Sequence, residues 1–153
     1  RHLVFHPSGK YLFVVNELNS TVTSCSYQVA NGVLTELQTT STVEASHKGS
    51  KYPAAIRMHP SGKYVYASTR GDISSIAVFQ VDKNGELFRI QVEEAVPAWP
   101  RDFNIDPSGQ YLIVAGERSD EIELFRIEDE TGKLERTQVK TALPSPGCVL
   151  YLD

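Results

Sequence analysis

Five charged side chains fall at matching points of this sequence. Arg1 and Arg101 open apolar stretches, whereas Glu17 in "VVNEL", Arg70 in "STRG" and Glu117 in "AGERS" close them. The planar fork of arginine binds anions, and it donates well to an oxyanion developing on a carbonyl. A carboxylate or an imidazole can take the proton of a water that attacks such a carbonyl, and His2 follows directly on Arg1. Gathered in one place, these groups would suit hydrolysis of an anionic substrate at a carbonyl centre. Kept as pairs, Arg1 with Glu17 and Arg101 with Glu117 would be surface salt bridges contributing roughly 0 to 1 kcal/mol each. The choice depends on how the chain arranges the stretches that these residues end.

Those stretches belong to a repeat. Setting Gly9, Gly62 and Gly109 in register aligns "PSGKY", "PSGKY" and "PSGQY", and a second glycine follows at the same interval each time, at Gly32, Gly85 and Gly132. Between the two glycines lies a β-branched and apolar run: "STVTSCSYQV", "SSIAVFQV" and "DEIELFRI". Landmarks in constant register over three copies indicate repeated supersecondary units. The extra residues around "EASHKGSKYP" read as a loop between the first two.

Each unit resolves into four strands, A to D. The first has "HLVFH", "YLFVVN", "TVTSCSYQV" and "LTELQTTS", bounded by Pro-Ser-Gly and Asn-Gly turns. The B strands "YLFVV" and "YLIVA" are almost wholly apolar, as expected when neighbouring sheets cover both faces. No segment keeps a helical period. Repeated four-stranded antiparallel sheets of this kind are the blades of a β-propeller. The expected blades are about 1–52, 53–99 and 100–144, followed by a closing inner strand at 146–152, because "PGCVLY" aligns with the earlier A strands. Three blades are too few for a ring of typically four to eight, so the chain reads as the C-terminal part of a larger propeller, with the missing strands upstream of Arg1.

Composition narrows the partners. The chain has 153 residues, 41% of them hydrophobic, and a net charge of −4 without Lys/Arg clusters, which argues against nucleic acid or an anionic membrane. No apolar run approaches the roughly 20 residues of a membrane helix. Cys25 and Cys148 lie far apart without metal-ligand spacing and read as free thiols, which fits a cytoplasmic location. Asp72, Asp102 and Asp106 also lack such spacing, so no metal is expected. His6 and His59 precede Pro-Ser-Gly and read as turn residues, His47 as a solvated loop residue, and Trp99 as an anchor for its connection or as the wall of a sugar cleft.

The stretches "RHLVFHPSGKYLFVVNELNSTV" and "WPRDFNIDPSGQYLIVAGERSDEIELFRI" resemble the seven-bladed β-propeller lactonase family, most of all its bacterial 6-phosphogluconolactonases. The resemblance covers nearly the whole chain. It implies hydrolysis of 6-phosphoglucono-δ-lactone in the pentose phosphate pathway, a small anionic lactone as partner, and no cofactor. It also implies functional positions at Arg1, His2, Glu17 and Arg70, to which Arg101 adds a second arginine equivalent to Arg1. Glu17 is then the base that activates water, Arg1 and His2 steady charge and protons, and Arg70 and Arg101 bind the substrate. Within the same family a muconolactone-type lactonising reaction is an alternative, and a non-catalytic propeller binding a protein or peptide is another.

Strand geometry gives this reading a testable form. In a meander the A-to-B and C-to-D turns share one face, and the start of strand A and the end of strand B share the other. Pairing His6 with Tyr11 sets Arg1 opposite Asn16, beside Glu17. The same register sets Ala54 opposite Thr69 and Arg101 opposite Gly116. Arg70 has no acid at its own A-strand start, which makes it the arginine least explained by a local salt bridge. Two acidic residues, Asp102 and Glu117, would add negative charge near an anion site.

Overall fold

Pro-Ser-Gly reverses the chain in each unit because its glycine adopts φ of 70° at Gly9, 74° at Gly62 and 77° at Gly109, where a Cβ is strained. The glycine N–H closes each turn on the carbonyl of His6, His59 or Asp106 at 2.8 to 2.9 Å. In the computed structural model, which describes residues 1–152, these turns separate twelve strands, and no helix is present among the described residues. The first sheet holds β1 (Leu3–Phe5), β2 (Tyr11–Asn16), β3 (Thr21–Gln28) and β4 (Val33–Ser41). The second holds β5 (Lys51–Met58), β6 (Tyr64–Gly71), β7 (Ser75–Val81) and β8 (Leu87–Glu93). The third holds β9 (Pro100–Ile105), β10 (Tyr111–Gly116), β11 (Glu121–Ile127) and β12 (Leu134–Ala142). All three are antiparallel meanders in chain order. β5 opens at Lys51, so the boundary expected after residue 52 falls just before Lys51.

The sheets stack as three layers, with β5 beside both β1 and β9. On the middle sheet, alternate residues serve opposite neighbours. Val65, Ala67, Ala77 and Phe79 pack with Phe13, Val15 and Val22 of the first sheet, while Tyr64, Tyr66, Ile76 and Val78 pack with Phe103, Leu112, Val114 and Phe125 of the third. β6 is therefore buried at every position from Tyr64 to Arg70. β2 and β10, covered on one side only, mix buried with exposed or partly buried positions. Two-sided burial is thus realised in the central B strand, although all three B strands are apolar enough for it.

A polar clasp repeats between sheets on the turn face. The Nδ1 of His6 accepts the Ser8 N–H at 3.0 Å, which leaves Nε2 to donate to the Gly62 carbonyl of the next blade at 3.1 Å. His59 does the same with Ser61, at 3.1 Å, and Gly109, at 2.9 Å. The tyrosine ending each motif lies against the second glycine of the next blade, Tyr11 on Gly85 and Tyr64 on Gly132. Tyr11 donates to the Lys83 carbonyl at 2.9 Å, and Tyr64 to that of Glu130 at 2.7 Å. His6 and His59 are turn residues, as expected, and they also register one blade on the next.

Among the described residues, the expected closing strand at 146–152 forms no ladder. Side chains of β9 bind it instead. Asp102 accepts the Val149 N–H at 3.0 Å, and Asn104 donates to the Val149 carbonyl at 3.1 Å.

Candidate active site

The register from Leu3 opposite Val14 to Phe5 opposite Leu12 continues in two main-chain bonds, Val15 N–H to His2 O at 3.0 Å and Arg1 N to Val15 O at 2.9 Å. Arg1 therefore reaches the end of β2, and its Nη1 lies 3.4 Å from Glu17 Oε2. In the second sheet the expected pairing of Ala54 with Thr69 is replaced by a bulge. Ile56 still faces Ala67, but Pro53 faces Thr69, and Arg70 falls opposite Tyr52. Bulges re-aim side chains and free backbone groups. Here the freed Ala55 N–H is taken by Ser68 Oγ at 3.0 Å, and the freed Ala54 carbonyl accepts from Arg1 Nε at 2.8 Å. A shift in the third sheet likewise sets Pro100, not Arg101, opposite Gly116.

Arg70 is not the unpaired arginine that its strand position indicated. Its Nη2 donates to Glu17 Oε1 from the neighbouring blade. A salt bridge between blades is invisible to pairing within one blade. Glu17 thus lies between Arg1 and Arg70, and its carboxyl is held below its ordinary pKa. Burial pushes it up, and the two guanidiniums outweigh that effect. The Arg70 side chain is only 9% exposed, and among the described residues its buried Nε has no hydrogen-bond partner. The guanidinium carbon also lies over the Trp99 ring, 5.5 Å from its centre.

The remaining candidates are placed apart from this trio. Arg101 pairs with Glu117 at 3.3 Å in a more exposed setting. His2 is exposed, and its imidazole is held below the ordinary value, first by partial burial and then by Arg1 and Arg57, with Asp102 opposing. It therefore favours the neutral form, able to accept a proton. Asp102 is buried and committed to Arg57 at 2.8 Å and to the Val149 N–H, so its charge is already neutralised. An open cleft of about 740 Å³ is lined by Arg1, Asn16, Glu17, Leu18, Thr23 and Glu36 among others, all of the first blade, and Arg70 does not line it. Among the described residues, no group of three His, Cys, Asp or Glu side chains lies close enough to hold a metal ion.

Stacked four-stranded meanders with their A strands adjacent define a segment of a β-propeller. The family model "Lactonase, 7-bladed beta-propeller" matches residues 1–151, and the chain belongs to that family. It is 34% identical over 153 residues to the 6-phosphogluconolactonase of Bacillus subtilis, covering 99% of this chain and 44% of that one. A crystal structure of a putative 6-phosphogluconolactonase from Bacteroides fragilis superposes with a TM-score of 0.92 at 32% identity, over 100% of this chain and 42% of that one. The periplasmic gluconolactonase of Pseudomonas aeruginosa gives a TM-score of 0.91 at 27% identity, over 97% and 41%. The chain spans less than half the length of these relatives.

Proposed function

We propose that the protein to which this chain belongs hydrolyses a sugar lactone, and specifically opens 6-phosphoglucono-δ-lactone to 6-phosphogluconate, a step of the pentose phosphate pathway. The observation that carries this reading is the Glu17 carboxylate held between Arg1 and Arg70 of two blades, with a buried Arg70 donor left over. In this reading Glu17 takes a proton from water, whose oxygen adds to the lactone carbonyl. The positive charge of the Arg70 guanidinium stabilises the oxyanion that forms. The intermediate collapses with cleavage of the ring C–O bond, and the departing alkoxide takes up the proton held by Glu17, directly or relayed through the neutral His2. Arg1, anchored on the Ala54 carbonyl, steadies the charge of Glu17, and Arg101 adds positive charge at the same mouth. The names of the relatives support the substrate class, and two free cysteines support a cytoplasmic setting.

The test is hydrolysis of 6-phosphoglucono-δ-lactone by the whole protein, with spontaneous opening subtracted. Glu17→Gln keeps the shape and an acceptor for one of the two arginines while removing the base, and it should lower kcat by about 10² or more with little change in KM. Catalysed hydrolysis that is unaffected in a folded Glu17→Gln variant would remove Glu17 from the chemistry. Absence of any catalysed hydrolysis in the parent protein would instead favour a propeller that binds without catalysis.

A further inference from the structure

The sequence contains eight arginines. Seven of them have a carboxylate within ion-pair distance. Among the described residues Arg118 alone has none, yet its side chain is not adrift. Its guanidinium carbon lies 3.3 Å from the centre of the Trp99 ring, a stacking contact. The same ring lies under Arg70 at 5.5 Å, so Arg118 and Arg70 are no further apart than those two distances laid end to end.

The backbone around this contact is fixed against its own preference. Trp99 has φ of 61°, a left-handed conformation that is an outlier for a bulky side chain and is kept only where neighbours impose it. Four hydrogen bonds do so. Trp99 N–H donates to Ser74 Oγ at 3.0 Å, and Ala98 N–H to Ser119 Oγ at 3.0 Å. Glu117 N–H donates to the Trp99 carbonyl and Arg118 N–H to the Ala98 carbonyl, each at 3.2 Å. The connection before β9 and the loop after β10 are thereby joined, with the ring and the guanidinium in fixed relation. The nearby acids are already engaged, Glu117 by Arg101 and Asp120 by the Ser145 N–H at 2.8 Å.

We propose that Arg118, carried on Trp99, is the residue that recognises the anionic end of the substrate, the phosphate of a phosphorylated sugar lactone or acid. The assignment rests on the lactonase reading for its ligand and goes beyond it in naming the specificity residue. Arg101 must give up Glu117 to bind a phosphate, whereas among the described residues the Arg118 guanidinium has no hydrogen-bond or ion-pair partner. Stacking on the indole holds the guanidinium in place before the ligand arrives, which reduces the ordering cost of binding. Trp99 is the positioning residue of this pair.

Calorimetric titration of the whole protein with 6-phosphogluconate and with gluconate tests this independently of catalysis. The parent protein should prefer the phosphorylated acid. Arg118→Ala and Arg118→Gln should weaken 6-phosphogluconate by about 10- to 100-fold while leaving gluconate nearly unchanged, and Arg118→Lys should recover part of the loss. Trp99→Leu should erode the preference with Arg118 still present, and Trp99→Phe, which keeps an aromatic face, should largely retain it. Equal weakening of both ligands, no weakening of either, or no preference in the parent protein would overturn the proposal. A parent protein that shows the Arg118-dependent preference but hydrolyses no lactone would leave this assignment standing and the catalytic reading fallen. Hydrolysis with a preference indifferent to Arg118 would do the reverse.

Discussion

At the scale of single residues, Glu17 decides the electrostatics of the site, because two guanidiniums from different blades share one carboxylate. Its folded-state pKa is depressed, so its contribution to stability is complete above the unfolded-state value and is lost as the pH falls through the folded one. Melting temperatures of the parent protein and Glu17→Gln should therefore converge on acidification and separate toward neutral pH. A constant difference across that range would contradict the assigned ion pairs. Arg70→Ala removes one of the two cations, so the acid limb of the residual kcat/KM profile should move to higher pH. Strand position alone marks Arg70 as a surface charge whose loss would hardly affect stability. With its side chain only 9% exposed and paired across the blade interface, the same substitution should instead cost about 1 to 3 kcal/mol, which a denaturant titration would measure.

At the scale of elements, the bulge in β5 connects the fold to the site. It turns the Ala54 carbonyl toward Arg1 and hands the Ala55 N–H to Ser68. Ser68→Ala leaves that buried donor without a partner, at a cost of about 1 to 3 kcal/mol. It should also lower kcat/KM, although Ser68 touches no proposed substrate position, because the Arg1 anchor moves. An unchanged kcat/KM in a destabilised protein would separate the bulge from the site. The clasp on the opposite face is a second element-level device. A Cβ at Gly62 would meet His6 Nε2 at 2.9 Å, so Gly62→Ala and His6→Ala act on one contact. Each should lower stability, and the double variant should lose less than the two single losses together. Strict additivity would show that the clasp carries no coupling energy.

At the scale of the whole molecule, the stack has two outer sheet faces that carry apolar residues into solvent. Leu3 is 55% and Phe5 48% exposed on the first sheet, and Val139 is 59% exposed on the third. The clasp shows the same openness. A Cβ at Gly9 or Gly32 would meet nothing within 4 Å, whereas Gly62, Gly85, Gly109 and Gly132 each receive a side chain from the preceding blade. The relatives are more than twice as long, which leaves length for further blades. Residues 1–153 expressed alone should therefore self-associate or melt without a sharp transition. A monodisperse monomer with a cooperative transition in calorimetry would refute that expectation.

The local rules were legible because they are written in short, repeated stretches. Pro-Ser-Gly and Asn-Gly fix where the chain turns, β-branched and apolar runs between them mark the strands, and constant register over three copies implies stacked blades. The same reasoning put Arg1 beside Glu17 and Arg101 beside Glu117, since those pairs lie within one meander whose register the turn sets. What lies between blades was not legible. The pairing of Arg70 with Glu17, the reach of His6 to Gly62, and the ring of Trp99 shared by Arg70 and Arg118 join residues 53, 56, 29 and 19 positions apart. The 53-residue repeat makes Glu17 and Arg70 equivalent positions of successive blades, but a repeat does not say which side chains of two blades touch. The bulge at Pro53–Ile56 shifts the register by a residue, and Arg1 of the neighbouring blade and Ser68 of the neighbouring strand satisfy the backbone groups that the shift exposes. The sequence by itself determined the strands, the turns and the end of each blade at which charge collects. Only the tertiary structure decided which charges meet, because the angle and offset of one sheet on the next come from packing of side chains distant in the chain.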